Sequence, residues 1–405
     1  MKRIIFHIDV NSAFLSWSAV EKCKNHPDST DLRTIPSIIG GDPKSRHGIV
    51  LAKSTPAKKY GIQTAEPISQ ALKKCPFLII EPADHALYKR YSQKFISYLQ
   101  TLTPDIEQVS IDECLLDFTN ISHLYPSPVA AADMIRETIQ RSFGFTVNIG
   151  ISTNKLLAKM ASDFQKPNKT HTLFPHEIKE KMWPLPVSEL YMAGHASVRI
   201  LNKLGILTIG HLAQTDEKLL TSHLKSHGHL LWEYANGIDD SPVESEPTKA
   251  KGIGNSITLQ QDITTREDAQ TILLQLSKKV SNRLKTSEQY TSNICVEIKY
   301  HTFVSSSHQT SISMPTNDYN DIFHLSCILF DALWDKTPIR LLGIRTTKLS
   351  TKEEPYQLDL FHLKETQKNV KIDQLESSLK KLRTKYGDQI IQKGSSTFSS
   401  QKNNN

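Results

Sequence analysis

The first apolar run of the chain, Ile4-Ile5-Phe6-His7-Ile8, ends in Asp9, and Ser110-Ile111-Asp112-Glu113 leads into a second run, Cys114-Leu115-Leu116-Asp117-Phe118. Both runs read as strands, so three carboxylates from distant parts of the sequence stand at strand edges. Neighbouring strand ends in a sheet are where an α/β layer can make such groups converge. Hard divalent cations take oxygen ligands, and two of them held about 3.5–4 Å apart can clamp an in-line displacement at phosphorus. Successive side chains on one strand point to opposite faces, so Asp112 and Glu113 alone also fit an ordinary strand edge.

A chain of 405 residues is too long for one ordinary core and is expected to hold about two to four domains. A hydrophobic content of 38% with 22% charged residues describes a globular protein. No apolar run reaches the length of a membrane span, and Met1-Lys2-Arg3 leads straight into a strand, not into a signal peptide. Cys23, Cys75, Cys114, Cys295 and Cys327 are scattered, odd in number and form no C-x-x-C pair. That pattern argues against a disulfide framework or a zinc site and for a reducing cytoplasm. The net charge of +7 permits a nucleic-acid partner. Its distribution says more: Lys44, Arg46, Lys53, Lys58 and Lys59 form one basic stretch, Lys155, Lys159, Lys166 and Lys169 a second, and Arg340, Arg345, Lys348 and Lys352 a third. Each alone reads as a solvated face; three together point toward a polyanion.

To about residue 174, strand and helix signals alternate. Leu87, Tyr91, Phe95, Tyr98, Leu99 and Leu102 predict an amphipathic helix ending before Pro104. Ser127-Pro128 reads as an N-cap with proline at the first helical position, opening a helix that stops near Gly144. Residues 147–151 read as a strand, and Asn154-Lys155 begins another helix. Residues 185 to about 237 suggest short helices, with Gly194, Gly205 and Gly210 as turn points. The run from Gly205 to Gly210 fits the second half of a helix–hairpin–helix, whose tight turn brings backbone N–H groups to a phosphate, or a small helical domain with glycine caps. Asp239 to Pro247 is polar and interrupted by proline, and reads as a linker. In residues 252–349, Ile294, Val296 and Ile298 alternate as in a strand, while Ile272, Leu276, Val280 and Leu284 keep helical spacing. The segment 394–405 is expected to be disordered.

Three motifs in order, Asp9-Val10-Asn11-Ser12-Ala13-Phe14, Ser110-Ile111-Asp112-Glu113, and the stretch from Asn154-Lys155 through Ser162-Asp163-Phe164-Gln165-Lys166-Pro167, resemble those of the Y-family translesion DNA polymerases of the DinB type. The resemblance covers roughly residues 3–390. It implies an α+β multidomain fold shaped as a right hand. The palm would span 1–174 with fingers inserted at about 20–78, the helical thumb 175–238, a linker 239–251, an α/β little finger 252–350, and a tail 351–405. It implies a template-directed, error-prone polymerase that uses primer–template DNA, deoxynucleoside triphosphates and two Mg²⁺ ions. Asp9, Asp112 and Glu113 would be catalytic metal ligands, joined by the main-chain carbonyl of Val10. Phe14 falls at the steric gate that excludes a ribose 2′-OH, although a core role after the first strand also fits it. Thr55, Lys58 and Lys166 fall at nucleotide-binding positions, with Lys59 a further fingers position; Lys155 and Lys159 are left between a phosphate role and the helix surface.

The chain departs from the family pattern in several places. Thr55 stands where many members have tyrosine, and Lys58 replaces an arginine, which removes a bidentate fork. Asn11 replaces a frequent aspartate. Ala13 replaces an aromatic and is expected to open space beside the nascent base pair. Met192 stands where the hairpin normally begins with glycine. Gly40-Gly41-Asp42 resembles the start of a cyclase loop but continues Pro43-Lys44, and reads as a turn. Gln357-Leu358-Asp359-Leu360-Phe361 is similar to the peptide that binds the bacterial sliding clamp, with Gln357, Leu358, Leu360 and Phe361 as its contacts; an ordinary amphipathic stretch is the plainer alternative. A short helix marked by Ile372, Leu375, Leu379 and Leu382 follows. The expected protein is a cytoplasmic monomer with no membrane association. Two alternatives stand beside the polymerase: a catalytically weak DNA- and clamp-binding subunit, and a nucleotidyl cyclase on a similar sheet.

Overall fold

The first apolar run forms a strand, β1 (Ile5–Val10), which leads into α1 (Ala13–Asn25). The computed structural model describes residues 3–41, 48–246 and 249–351. The clamp-like peptide 357–361, the later helix and tail, and Asp42, Lys44, Arg46 and Lys352 lie outside the described residues. The chain divides into two compact units, Met1–Lys249 and Ala250–Asn405. No helix among the described residues is long and apolar enough to cross a membrane.

In the first unit, β2 (Ser37–Gly40) pairs antiparallel with β3 (Val50–Lys53). Two short helices follow, α2 (Thr55–Lys59) and α3 (Ile68–Lys74), and then β4 (Ile79–Pro82), which is parallel to β2. This three-stranded sheet has its own small core of Ile38, Val50, Ala57, Ile62, Ile68 and Ala71. The chain continues through α4 (His85–Gln100), β5 (Ile106–Gln108), β6 (Glu113–Asp117), α5 (Pro128–Phe143), β7 (Val147–Ser152), α6 (Lys155–Asp163) and β8 (Thr170–Thr172). The second sheet runs β5-β6-β1-β7-β8, with β1 antiparallel to both its neighbours.

Period-2 alternation divides β1 between two cores. Phe6, Ile8 and Val10 join Trp17 of α1, Tyr88 and Phe95 of α4, and Ile135 and Ile139 of α5 in the largest buried cluster. Ile5 on the opposite face packs with Leu115 and Ala158 of α6. The caps expected from the sequence are present: Ser127 accepts from the Ala130 amide at 3.1 Å, and Gly144 adopts φ +77° to end α5. Helix α4 is capped by Asp84, accepting from Leu87 N at 3.0 Å, and gives way at Thr101, just short of the expected Leu102. Gly150 has a different task. A Cβ there would overlap the Ala158 carbonyl and the Ser162 amide, so its bare backbone lets α6 lie directly on the sheet.

Helix α6 also faces a helical region built from α7 (His195–Lys203), α8 (Ile209–Gln214), α9 (Glu217–Leu224) and α10 (Ser226–Ala235). Leu156, Leu157 and Met160 share that region's core with Leu201, Leu212 and Leu231. Met192 takes φ +69°, so the turn before α7 keeps a left-handed residue although it lacks glycine. Gly205 is likewise left-handed at φ +78°. Gly210 corrects an expectation: it is a buried residue inside α8, not a turn point, where its lack of a side chain accommodates Trp183.

After α10 the chain returns along the second sheet without helix or strand. Asp239 Oδ2 accepts from the Leu156 amide at the start of α6 (3.0 Å), and Asn154 Nδ2 donates to the Gly237 carbonyl (2.9 Å). Val243 packs against Ile5, Leu115 and Ala158, and the Glu244 amide donates to Glu107 at 2.9 Å.

The second unit comprises β9 (Gly252–Ile263), α11 (Arg266–Thr286), β10 (Gln289–Tyr300), β11 (Ser305–Thr316), α12 (Tyr319–Leu333) and β12 (Ile339–Thr351). Its sheet runs β11-β10-β12-β9, antiparallel throughout. Ile294, Val296 and Ile298 meet Leu273, Leu276, Val280 and Leu284 of α11 in one core. Arg345 and Lys348 of β12 remain exposed.

Candidate active site

Antiparallel pairing sets Asp9 directly opposite Glu113 on β6 and Asn148 on β7. Residues paired in this way share a face, and His7, two residues before Asp9, shares it too. Helix α6 covers this face over Gly150. Asp112 lies just before β6, and its carbonyl accepts from the Val10 amide at 3.0 Å, which ties the end of β1 to the carboxylate turn. Ser110 shapes that turn. Its hydroxyl donates to Asp112 Oδ1 at 2.6 Å and accepts from the amides of Asp112 (3.2 Å) and Glu113 (3.1 Å).

The three carboxylates have different surroundings. Asp9 is paired with Lys166, which also lies 2.9 Å from Asp163. Glu113 Oε2 is 3.0 Å from Lys159 Nζ and 3.5 Å from His7 Nε2. The fully buried His7 bonds through Nδ1 to Ser162 Oγ at 2.8 Å. His7, assisted by Lys159, holds the Glu113 carboxyl down at about 2 against the opposing effect of burial. Asp112 is shifted upward, first by burial and then by the charges of Asp9 and Glu113, with Ser110 opposing. Burial is also the largest effect on Lys166 and lowers it, but Asp9 and Asp163 together raise it above the ordinary lysine value.

As they stand, no three His, Cys, Asp or Glu side chains among the described residues close into a metal-binding group. Unscreened carboxylates repel, and here each is turned to a lysine, a histidine or a hydroxyl. The donor set nonetheless fits a hard cation: all its side-chain ligands are carboxylate oxygens. The upward pull of Asp9 and Glu113 on Asp112 is a repulsion that a bound cation would relieve.

Both ends of the Asn11 amide are hydrogen-bonded. Its Nδ2 donates to Asn148 Oδ1 (3.1 Å), and its Oδ1 accepts from Thr146 Oγ1 (3.0 Å) and the Asn168 amide (2.9 Å). Asn148 Nδ2 in turn donates to the carbonyls of Ser162 (3.0 Å) and Gln165 (2.7 Å). This amide pair moors the loop carrying Lys166 to β1 and β7. An aspartate at position 11 could not donate to Asn148.

Phe14 stacks on Tyr88 with ring centroids 4.3 Å apart and planes 6° from parallel, edge-on to His85. Ala13 is 4% exposed and its methyl group sits in the core cluster, because the first residue of α1 is turned inward. Lys155 and Lys159 do not line the helix surface. Lys155 is paired with Glu107 at 2.6 Å and also donates to the Pro242 carbonyl. Thr55, Lys58 and Lys59 stand exposed on α2, and their neighbour Lys53 is turned in to the Ile62 carbonyl at 2.7 Å. The structure thus gathers Asp9, Asp112, Glu113 and Lys166, and leaves Thr55 and Lys58 on the three-stranded sheet's helix.

The sequence motifs do not single out His7, Ser162, Asn148 or Asp163 as site residues. Period-2 spacing from Asp9 is a signal that points to His7. Asn148 has none, because its place depends on strand register.

Residues 8–163 match the impB/mucB/samB family and residues 250–360 its C-terminal domain. This chain belongs to that family. It is 46% identical over 391 residues to a DNA polymerase IV of Clostridium acetobutylicum, covering 96% of this chain and 97% of the relative. It is 37% identical over 394 residues to DNA polymerase IV 1 of Bacillus subtilis, covering 97% and 92% respectively. Among solved structures, a chimeric Y-family DNA polymerase superimposes with a TM-score of 0.75 at 22% identity, covering 86% of this chain and all of the other. The fold is that of a Y-family polymerase, α+β and multidomain.

Proposed function

We propose that this chain is a template-directed DNA polymerase that copies past damaged bases with low fidelity. The observation that carries this is the face-to-face placement of Asp9 and Glu113 beside Asp112, with Lys159 and Lys166 bound to it, in a chain whose relatives over nearly full length are DNA polymerases IV. On this reading residues 1–174 are the palm, with fingers at about 20–78, 175–238 the thumb, 239–251 the linker and 252–350 the little finger. Asp9, Asp112, Glu113 and the Val10 carbonyl would hold two Mg²⁺. Such ions neutralise the phosphates and lower the pKa of the primer 3′-OH.

The chain's own residues supply position and charge. Asp9 and Glu113 are fixed by cross-strand register, and Asp112 by the Ser110 turn. Lys166, moored through Asn11 and Asn148, offers an ammonium to the β- and γ-phosphates of the incoming deoxynucleotide, with Thr55 and Lys58 as fingers contacts. Phe14, braced flat on Tyr88, presents a rigid ring to the sugar. Gln357, Leu358, Leu360 and Phe361 would anchor a bacterial sliding clamp and so raise the local concentration of a monomeric, cytoplasmic enzyme at primer ends.

Primer extension with four deoxynucleotides and Mg²⁺, run beside Asp112→Asn, tests this. Extension by the wild type alone is expected. Extension by neither, with primer–template still bound, would favour a DNA- and clamp-binding subunit instead.

A further inference from the structure

Five side chains alternate in charge along one path: Glu113, Lys159, Asp163, Lys166 and Asp9. Lys159 Nζ lies 3.0 Å from Glu113 and 3.9 Å from Asp163; Lys166 Nζ lies 2.9 Å from Asp163 and is also paired with Asp9. The two ends are register partners across β1 and β6. The centre, Asp163, is the last residue of α6 and lies outside the proposed ligand set. Its side chain is 49% exposed, against 19% for Lys159 and 32% for Lys166. It therefore has room to follow both lysines, which the strand-borne carboxylates lack.

We propose that Asp163 is a positioning residue, the alternative partner that draws Lys159 and Lys166 off Glu113 and Asp9 when those carboxylates take a divalent cation. This rests on the polymerase reading of the site. An ammonium and a metal ion compete for the same carboxylate lone pairs, so cation binding requires the lysines to go elsewhere. Asp163 already touches both and gives them a destination that is neither buried nor distant. Two ammonium groups sharing one carboxylate are only half neutralised. Their residual positive charge then faces the incoming triphosphate, so one exchange both frees the cation ligands and arms the phosphate contacts.

Mn²⁺ titrated into the intact protein, without DNA or nucleotide, and followed by the electron-spin signal of free Mn²⁺, reads this directly. Asp163→Asn should weaken Mn²⁺ binding about two- to fivefold, the range of partly exposed ion pairs. Lys159→Gln alone should tighten it by a similar factor. In a Lys159→Gln/Lys166→Gln background, Asp163→Asn should change nothing, since no lysine remains to redirect. An equal loss in both backgrounds would mean that Asp163 attracts the cation directly, and no loss in either would mean that it plays no part; each overturns the proposal. Asp163→Ser, which should behave as Asp163→Asn does, provides the same readings should the asparagine variant fold poorly. Unchanged Mn²⁺ affinity in Asp112→Asn would place the cation elsewhere and remove the site reading together with this inference.

Discussion

Asp9 and Glu113 face one another across the β1–β6 ladder, and each is met by a lysine held at or just beyond α6. Two like charges in register destabilise a sheet unless something neutralises them. The protein supplies internal cations for this: Lys166 meets Asp9 and Lys159 meets Glu113.

Asp112 is the least compensated of the three. Its carboxyl is shifted upward by burial and by Asp9 and Glu113. A raised acid favours the folded state when protonated, so its charged form at neutral pH costs stability. Asp112→Asn should therefore abolish extension and yet raise the melting temperature in chelator, as read by calorimetry. A clear drop in melting temperature would contradict the repulsion assigned here.

Glu113 shows the opposite sign. Its folded value of about 2 lies below the ordinary 4.5. The stability it contributes is present above about 4.5 and is lost as pH falls through about 2. Denaturant unfolding of wild type and Glu113→Gln in chelator should give a stability difference that is constant at neutral pH and shrinks across that window. A difference independent of pH would remove His7 and Lys159 as its cause.

Asn11→Asp restores the frequent family residue but removes the donor to Asn148. Asn148 Oδ1 would keep only the Lys169 amide, at 3.3 Å, and would face a carboxylate oxygen in place of a donor, which should cost about 1–3 kcal/mol, measured by urea unfolding. The loop bearing Lys166 should loosen with it and weaken deoxynucleotide affinity. Unchanged stability would show that the mooring is not fixed by this amide.

Phe14→Val removes the ring that stacks on Tyr88 and should admit ribonucleotides, raising the ratio of ribo- to deoxynucleotide incorporation in single-turnover assays. The lost aromatic pair should cost about 0.5–1.5 kcal/mol besides the buried area. Unaltered sugar selection would take Phe14 away from the gate.

Replacing Leu360 and Phe361 by alanine should leave extension on bare primer–template intact and abolish stimulation by a bacterial sliding clamp. Equal stimulation of both proteins would dismiss the peptide at 357–361.

Much of this could be read from local chemistry. The helices opened by Asp84, Ser127 and Asn154 follow from capping residues and apolar spacing, and the strands around Asp9 and Glu113 from short apolar runs. What escaped depends on register or on close approach. That Asn148 would lie opposite Asp9 is a property of β1–β7 pairing. That Gly210 would sit inside a helix was hidden because it serves Trp183, a contact distant in sequence. Nor does the sequence show that Met192, standing where glycine is usual, takes the left-handed backbone conformation itself, at φ +69°.

The Asn11–Asn148 pair ties the strand that bears Asp9 and the loop that bears Lys166 to the same two amides. Thermal motion therefore moves both in common, as two instruments bolted to one bench share its vibration. A polymerase must let damaged templates of many shapes pass through it, and its larger parts have to give way. With this mooring, such compliance need not reach the spacing between the Asp9 carboxylate and the Lys166 ammonium group.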